Sequence, residues 1–463
     1  MELLDLPVEI LVEICQYMGP HHAPGRESGT LYRLSNICRR LGCIAQQVLY
    51  RDVKPHKLGP FLRTIIARPD LAAQVRCFNF FYRWVRINPL SNEEVKELRA
   101  KAKSLNIEES MYSQIRRLRK RHNRTVHEKF HCLRILELSV ALLPNMTTLN
   151  LEMQVMDKSD EIPHALIAVV QMESVKRIWF DAGQLFNLGA SKNFFAMMLY
   201  LEELKILKCG RVTEPLSLSR IRSLSLTQSC ISKTSLQTLI NSCPELECFR
   251  YIQWGKFHSG IDYGPHFTWG QAQRILQLRR TTLKQIELDF ERACHDKIFP
   301  LAPEDYYDGF KNFDRLEKLS LQTTRFGTKD EDGKGLIPKF PADVQDLIAK
   351  LPMSLTSITF FGSHKDWNGI RVLAEATKQG YFPRLKEVMA EQKEEDLEYK
   401  RSHNLLAACG VDYDELYTRG FLECSDCLWG VPHSYHYLSY DIYEESDSDD
   451  EESNSENNEE SDN

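Results

Sequence analysis

Apolar positions near the start of the chain recur at helical spacing. In the stretch LLDLPVEILVEICQYM, Leu3 to Met18, Asp5 as a cap and Pro7 in the first turn predict a helix. Pro7, Ile10, Ile14 and Tyr17 then share one stripe, Leu11, Cys15 and Met18 widen it, and Glu9, Glu13 and Gln16 mark the solvent side. That apolar arc is broader than a short surface helix needs, so a second surface must cover it. The loop-like GPHHAPGRESGT at 19–30 separates it from LYRLSNICRRLGCIAQQVLYRDV. There Leu34, Ile37, Cys38, Leu41, Ile44, Ala45 and Val48 fall at three- and four-residue steps, opposite Arg33, Asn36, Arg39, Arg40 and Gln47. Two or three helices are expected in about fifty residues, too few to bury a secure core alone.

Beyond them the pattern shortens and repeats. MTTLNLEM, VKRIWF, LEELKIL, IRSLSL, LECFRY, LKQIELD, LEKLSL, LTSITF and LKEVMA each place an apolar residue, two variable ones, an apolar, a variable and an apolar. They begin at Met146, Val175, Leu201, Ile221, Leu246, Leu283, Leu316, Leu355 and Leu385, at steps of 29, 26, 20, 25, 37, 33, 39 and 30 residues. VRCFNF from Val75 is a candidate earlier member. Amphipathic stretches lie between them, clearest at Leu236, Leu239 and Ile240 and at Val344, Leu347, Ile348 and Leu351. A strand followed by a helix cannot cover its own apolar side, but stacked units can. The expectation is an α/β solenoid with parallel strands on a concave face and helices on a convex one. The competing reading is an ordinary α/β domain whose strands look alike.

At 463 residues, with 42% hydrophobic and 27% charged residues, the chain has length for two or three domains. An acidic start and the lack of an apolar run of about 18 residues argue against a signal peptide or a membrane span. The expected location is therefore the cytoplasm or nucleus. Thirteen scattered cysteines imply no disulfide framework. The net charge of −6 hides a division, because residues 444–463 hold eleven acids and no base. The body is mildly basic.

LLDLPVEILVEICQYM followed by the Cys38-Arg39-Arg40 core and the closing Leu49-Tyr50-Arg51 resembles the F-box, and the irregular strand–helix units behind it resemble leucine-rich repeats. The combination is similar to many fungal F-box proteins. The resemblance implies five regions: an all-α F-box at 1–54; linker helices, a candidate first repeat and a basic insertion at 55–145; the leucine-rich-repeat horseshoe at 146–392; a capping region at 393–442; and a disordered acidic tail at 443–463. It also implies a non-catalytic substrate-recognition subunit of the cullin-RING ubiquitin ligase called SCF. Leu6, Pro7, Ile10, Ile14, Leu34, Cys38 and Leu41 would bind the adaptor subunit, and through it the cullin and RING subunits, with Glu9 and Arg39 at the rim. The repeats would hold a target protein, with Lys205, Lys208, Arg250, Gln253, Glu287, Lys318 and Gln322 as candidates flanking the inward leucines. The loop at 19–30 is longer than usual for the F-box, and Leu41 stands where Trp is common.

Other constellations compete. The helices could simply cap the repeats, leaving an interaction scaffold outside the ligase. HEKFH, His127 to His131, matches the H-E-x-x-H pattern of zinc hydrolases but lacks the extension that supplies a third ligand. Cys424, Cys427, His433 and His436 are zinc-type ligands at a spacing that is wrong for a zinc finger. No metal or cofactor is expected. The basic run RRLRKRHNR at 116–124 has no interleaved aromatics, so nucleic acid is not an expected partner. Ser446, Ser448 and Ser453 each have an acid three residues on, which suits an acidophilic kinase.

Overall fold

The computed structural model describes residues 5–18, 29–81, 92–105, 135–152, 172–252, 267–290, 307–322, 327–329, 336–338, 344–361, 368–390 and 397–415. They divide into two compact units, one ending at Val48 and one beginning at Leu49.

In the first unit are the helices α1 (Val8–Tyr17), α2 (Gly29–Ser35) and α3 (Arg39–Leu49). Pro7 itself is the N-cap of α1, with no side-chain cap, so the capping role expected of Asp5 is not seen. Arg40 Nη2 donates to the Leu6 carbonyl at 2.9 Å and ties α3 to the entry of α1. Between α2 and α3 the chain turns at residues 36–38, where Cys38 precedes α3 and its Sγ accepts the Leu41 N–H at 3.5 Å. The turn is tight: a Cβ on Gly42 would lie 2.7 Å from the Ser35 carbonyl oxygen. Leu11, Cys15, Leu31, Leu41, Ile44 and Ala45 are buried here and stand outside the continuous core of the second unit.

The second unit is built on an open sheet of twelve parallel strands in sequential order. These are β1 (Asp52–Val53), β2 (Cys77–Phe81), β3 (Thr148–Glu152), β4 (Arg177–Asn187), β5 (Glu203–Arg211), β6 (Ser223–Thr227), β7 (Cys248–Ile252), β8 (Gln285–Asp289) and β9 (Lys318–Gln322). After the separate antiparallel pair β10 (Gly327–Lys329) and β11 (Leu336–Pro338), the sheet resumes with β12 (Ser357–Phe361), β13 (Glu387–Ala390) and β14 (Asp412–Glu415). Helices α4 (Leu58–Ala67), α5 (Pro69–Ala72), α6 (Asn92–Ser104), α7 (Lys192–Ala196), α8 (Lys233–Asn241), α9 (Trp269–Leu276), α10 (Val344–Lys350), α11 (Asn368–Lys378) and α12 (Leu397–Ala408) lie between strands.

The repeat has a physical basis at each of its positions. Its first apolar residue, from Val75 and Met146 through Leu385 to Val411, is buried in every unit. In most units its N–H bonds the residue three back and closes a turn, as in Met146 to Leu143 and Ile221 to Leu218. The next residue, carrying Arg51, Arg76, Thr147, Lys176, Glu202, Arg222, Glu247, Lys284, Glu317 and Thr356 up the sheet, offers its carbonyl to two successive N–H groups of the following unit at 2.7–3.2 Å. This fixes the register of each strand on the last. Side chains of that column alternate in sign from Lys176 to Glu317, so neighbours attract: Lys284 Nζ lies 2.8 Å from Glu247 Oε2, and Lys176 Nζ lies 3.5 Å from Glu202 Oε1. Hydrogen bonding from Lys284, helped by the charges of Lys284, Arg222 and Arg315, holds the Glu247 carboxyl below the usual glutamate value. Such exposed pairs are worth only about 0.2–1 kcal/mol each, so they favour the register more than they drive folding.

The remaining apolar positions, such as Leu224, Leu226, Phe249, Ile286 and Leu288, point to one face and join helix residues Leu236, Leu239, Ile240, Ala272 and Leu276 in one core. Helices start where local chemistry allows: Ser232 caps α8, and a capping box of Thr268 and Gln271 opens α9. All nine repeat segments become sheet strands, as does the candidate at Val75. The sheet also runs past 146–392 at both ends, through β1 and β2 before it and β14 after it.

Candidate functional site

Two surfaces carry unusual chemistry. Among the described residues, six of the ten exposed large hydrophobic side chains lie on the three N-terminal helices and their turns: Val8, Ile10, Tyr17, Met18, Tyr32 and Ile37. Tyr17 is 75% exposed and Ile37 65%. Pro7 is also exposed, while Leu6, Ile14, Leu34 and Cys38 are half-buried, and Glu9 and Arg39 stand in solvent. Leu41 departs from expectation: at 3% exposure it belongs to the interior and cannot dock a partner. The turn at 36–38 is the reason, since it interrupts the continuous helical face read from the sequence, turns Leu41 inward and leaves Ile37 outside. Tyr32 was not singled out in the sequence because no neighbour at helical spacing shares its face.

The second surface is the sheet face opposite the helices. Strand register sets side chains in rows across it, and one row runs Asn79, Asn150, Trp179, Lys205, Ser225, Arg250, Glu287, Ser320 and Thr359. Three target-binding candidates, Lys205, Arg250 and Glu287, therefore share one line. They are not free: Lys205 Nζ is 3.0 Å from Glu203, and Arg250 Nε donates to Glu287 Oε1 at 2.9 Å. Burial raises the Glu287 carboxyl above its ordinary value, with Arg250 opposing. Lys318 is exposed one step along the strand direction, and Gln322 ends β9. Lys208 lies within β5 in a left-handed conformation, φ 59°, with Nζ 3.7 Å from Asp181. Gln253 lies outside the described residues.

At β3 and β4 the same face gathers residues that the sequence reading did not join into one group. Asn150 and Glu152 on β3 stand in register with Trp179 and Asp181 on β4. Asn150 Nδ2 donates to Asn79 Oδ1 at 2.6 Å, and Asn79 Nδ2 donates to Asp52 Oδ1 at 2.5 Å. Glu152 and Asp181 are both buried. Just beyond Asp181 the β4–β5 register jumps to Phe186, so that 182–185 oppose Lys208 alone. The signal was present in LNLE and WFD, where polar side chains fill the variable positions of a repeat.

HEKFH at 127–131, the basic run at 116–124, Cys424, Cys427, His433 and His436, and Ser446, Ser448 and Ser453 all lie outside the described residues. Among the described residues no group of three or more His, Cys, Asp and Glu side chains is placed to hold a metal ion, and no helix is long and apolar enough to cross a membrane. Compared with models of known protein families and with curated proteins, the chain matches none.

Proposed function

We propose that the chain is the substrate-recognition subunit of an SCF-type ubiquitin ligase. Its N-terminal helices resemble an F-box and dock on the adaptor subunit, which links them to the cullin and RING subunits; its stacked strand–helix units resemble leucine-rich repeats and hold the target protein. The repeats would curve as a horseshoe with the polar sheet face inward. The chain does no chemistry itself in this reading: holding a target beside the ubiquitin-conjugating enzyme raises the effective concentration of its lysines.

The observation that carries the reading is the concentration of exposed apolar side chains on α1 and on α2 with its following turn. Folded domains rarely leave aliphatic and aromatic side chains together in water unless another surface covers them. Buried aliphatic and aromatic anchors at the centre of such a patch dominate binding, and Ile10, Tyr17, Tyr32 and Ile37 are of that type. Co-expression of the tagged full-length chain with adaptor, cullin and RING subunits tests it. Capture of all three is the expected result; a chain recovered free of adaptor would leave only an interaction scaffold.

A further inference from the structure

Among the described residues, four exposed large hydrophobic side chains lie outside the N-terminal helices: Leu199 at 50%, Tyr200 at 42%, Leu278 at 48% and Met353 at 56%. All four sit in turns that carry the chain from a helix into the next strand. Leu199 and Tyr200 stand between α7 and β5, Leu278 between α9 and β8, and Met353 between α10 and β12. They therefore share one edge of the sheet, where the strands begin, with the column of charges that fixes strand register. We propose that this edge binds the same edge of a second copy of the chain, about a twofold axis that passes between β6 and β7.

The order of charges commits the surface to that occupant. Towards β12 the column reads Thr147, Lys176, Glu202, Arg222, Glu247, Lys284, Glu317 and Thr356. Its six charges alternate in sign and are even in number, so the column reversed is its own complement. A twofold axis normal to the sheet performs that reversal and makes the same patch meet itself. Arg222 of each copy then faces Glu247 of the other, Glu202 faces Lys284, Lys176 faces Glu317, and the two threonines meet. One residue before the column the same axis sets Arg220 against Glu245, both exposed. Like charges meet farther from the axis, Glu173 with Asp314 and Arg76 with Lys386.

The apolar side chains obey the same symmetry. Because strand order is sequential, the axis exchanges β5 with β8, and the turn of Leu199 and Tyr200 meets the turn of Leu278 from the other copy. The charged strip thus gains an apolar flank at either side, where Arg220 already rests 4.7 Å over the Tyr200 ring. Ion pairs within one copy do not close the surface. Lys176 with Glu202, Lys284 with Glu247 and Arg222 with Glu245 keep their side chains between 31% and 61% exposed, so each can take a second opposite charge. Eight strands from β3 to β12, at about 4.8 Å spacing, give an edge about 34 Å long. One sheet and one helix deep, about 20 Å, it would bury about 700 Å² per copy, close to the 800 Å² or so of a standard interface. A charged centre favours selectivity over strength, so the dimer should be micromolar. The axis also keeps both polar sheet faces on one side, so two copies would hold a repeated target with added avidity.

Sedimentation equilibrium of the full-length chain tests this. Between about 1 and about 100 µM at low salt the wild type should pass from monomer to dimer, and added salt should reverse it. Arg222→Glu and Glu247→Arg should each weaken self-association at least about tenfold with unchanged melting, because each sets like charges across the axis twice. Mixed in equal amounts, the two variants should associate as tightly as the wild type. The new acid of one then faces the new base of the other, and the untouched Glu247 of the first faces the untouched Arg222 of the second. Recovery on mixing is a gain that misfolding cannot mimic. Leu278→Asp should weaken the dimer by a similar factor. Wild type that stays monomeric throughout, association that neither reversal weakens, variants that do not recover on mixing, or assembly beyond a dimer would overturn the proposal.

Discussion

Arg250 Nε lies 2.9 Å from Glu287 Oε1 across the register of β7 and β8, on the sheet face away from the helices. The carboxyl is largely buried, and desolvation lifts its pKa although the guanidinium pulls it down. A folded-state value above the unfolded one means that acid stabilises: the contribution is full below the ordinary glutamate pKa of about 4.3 and is lost as pH rises through the raised value. Relative to Glu287→Gln, the wild type should therefore gain stability as pH falls from 7 towards 4. Urea unfolding at several pH values reads this, and a difference that does not vary with pH contradicts it. At neutral pH, Arg250→Met should cost about 1–3 kcal/mol, because it strands a mostly buried carboxylate while water still reaches part of the pair.

Gln228 has φ 53° and a buried Oε1 that accepts no hydrogen bond. A left-handed backbone costs a residue with a Cβ about 1–2 kcal/mol, and the unpaired oxygen adds to this. Gln228→Gly removes both at some cost in chain entropy, so it should stabilise by about 0.5–1 kcal/mol. A lowered melting temperature in calorimetry would show that Gln228 makes contacts worth more than its strain.

Burial pushes the thiols of Cys209 and Cys243 up to about 12, whereas Cys43 is exposed. The thiolate is the reactive form. Iodoacetamide at pH 8 should label Cys43 within minutes and leave Cys209 and Cys243 unmodified until denaturant is added. Peptide mass spectrometry distinguishes them; early labelling of Cys243 would mean that the core around α8 opens readily.

Phe249 sits 1% exposed on β7 in the core that joins strands to helices. Phe249→Ala should cost about 3–5 kcal/mol. Because each unit touches mainly its neighbours, hydrogen exchange should quicken most in β6, β7 and β8 and much less in β2 and β13. A uniform rise across the sheet would indicate global rather than local coupling.

The strands were legible because their cause is local: a buried residue, a turn, and apolar side chains at alternate positions recur wherever a parallel strand adds to the stack. β14 escaped because Val411 and Tyr413 are two residues apart where Leu385 and Val388 are three. Short β1 fell within the stretch read as F-box, although Tyr50 and Val53 keep the three-residue step. Helical spacing found the N-terminal helices but could not see the turn at 36–38, so it gave Leu41 the surface that Ile37 has. The polar group of Asn150, Glu152, Trp179 and Asp181 at β3 and β4 was legible strand by strand but not as a group. Its members are distant in sequence and meet only through register, and no spacing rule joins Asn150 to Trp179.

The most direct measurement of the central claim is titration calorimetry of the full-length chain against the adaptor subunit, with wild type beside Ile10→Asp/Ile37→Asp. Both side chains are exposed, so the double variant should melt as the wild type does. The account expects saturable binding by the wild type and at least a hundredfold loss, about 2.7 kcal/mol, in the variant, since charges would be buried without partners. Wild-type protein that releases no heat with the adaptor, or a folded variant that binds it equally well, would contradict the account.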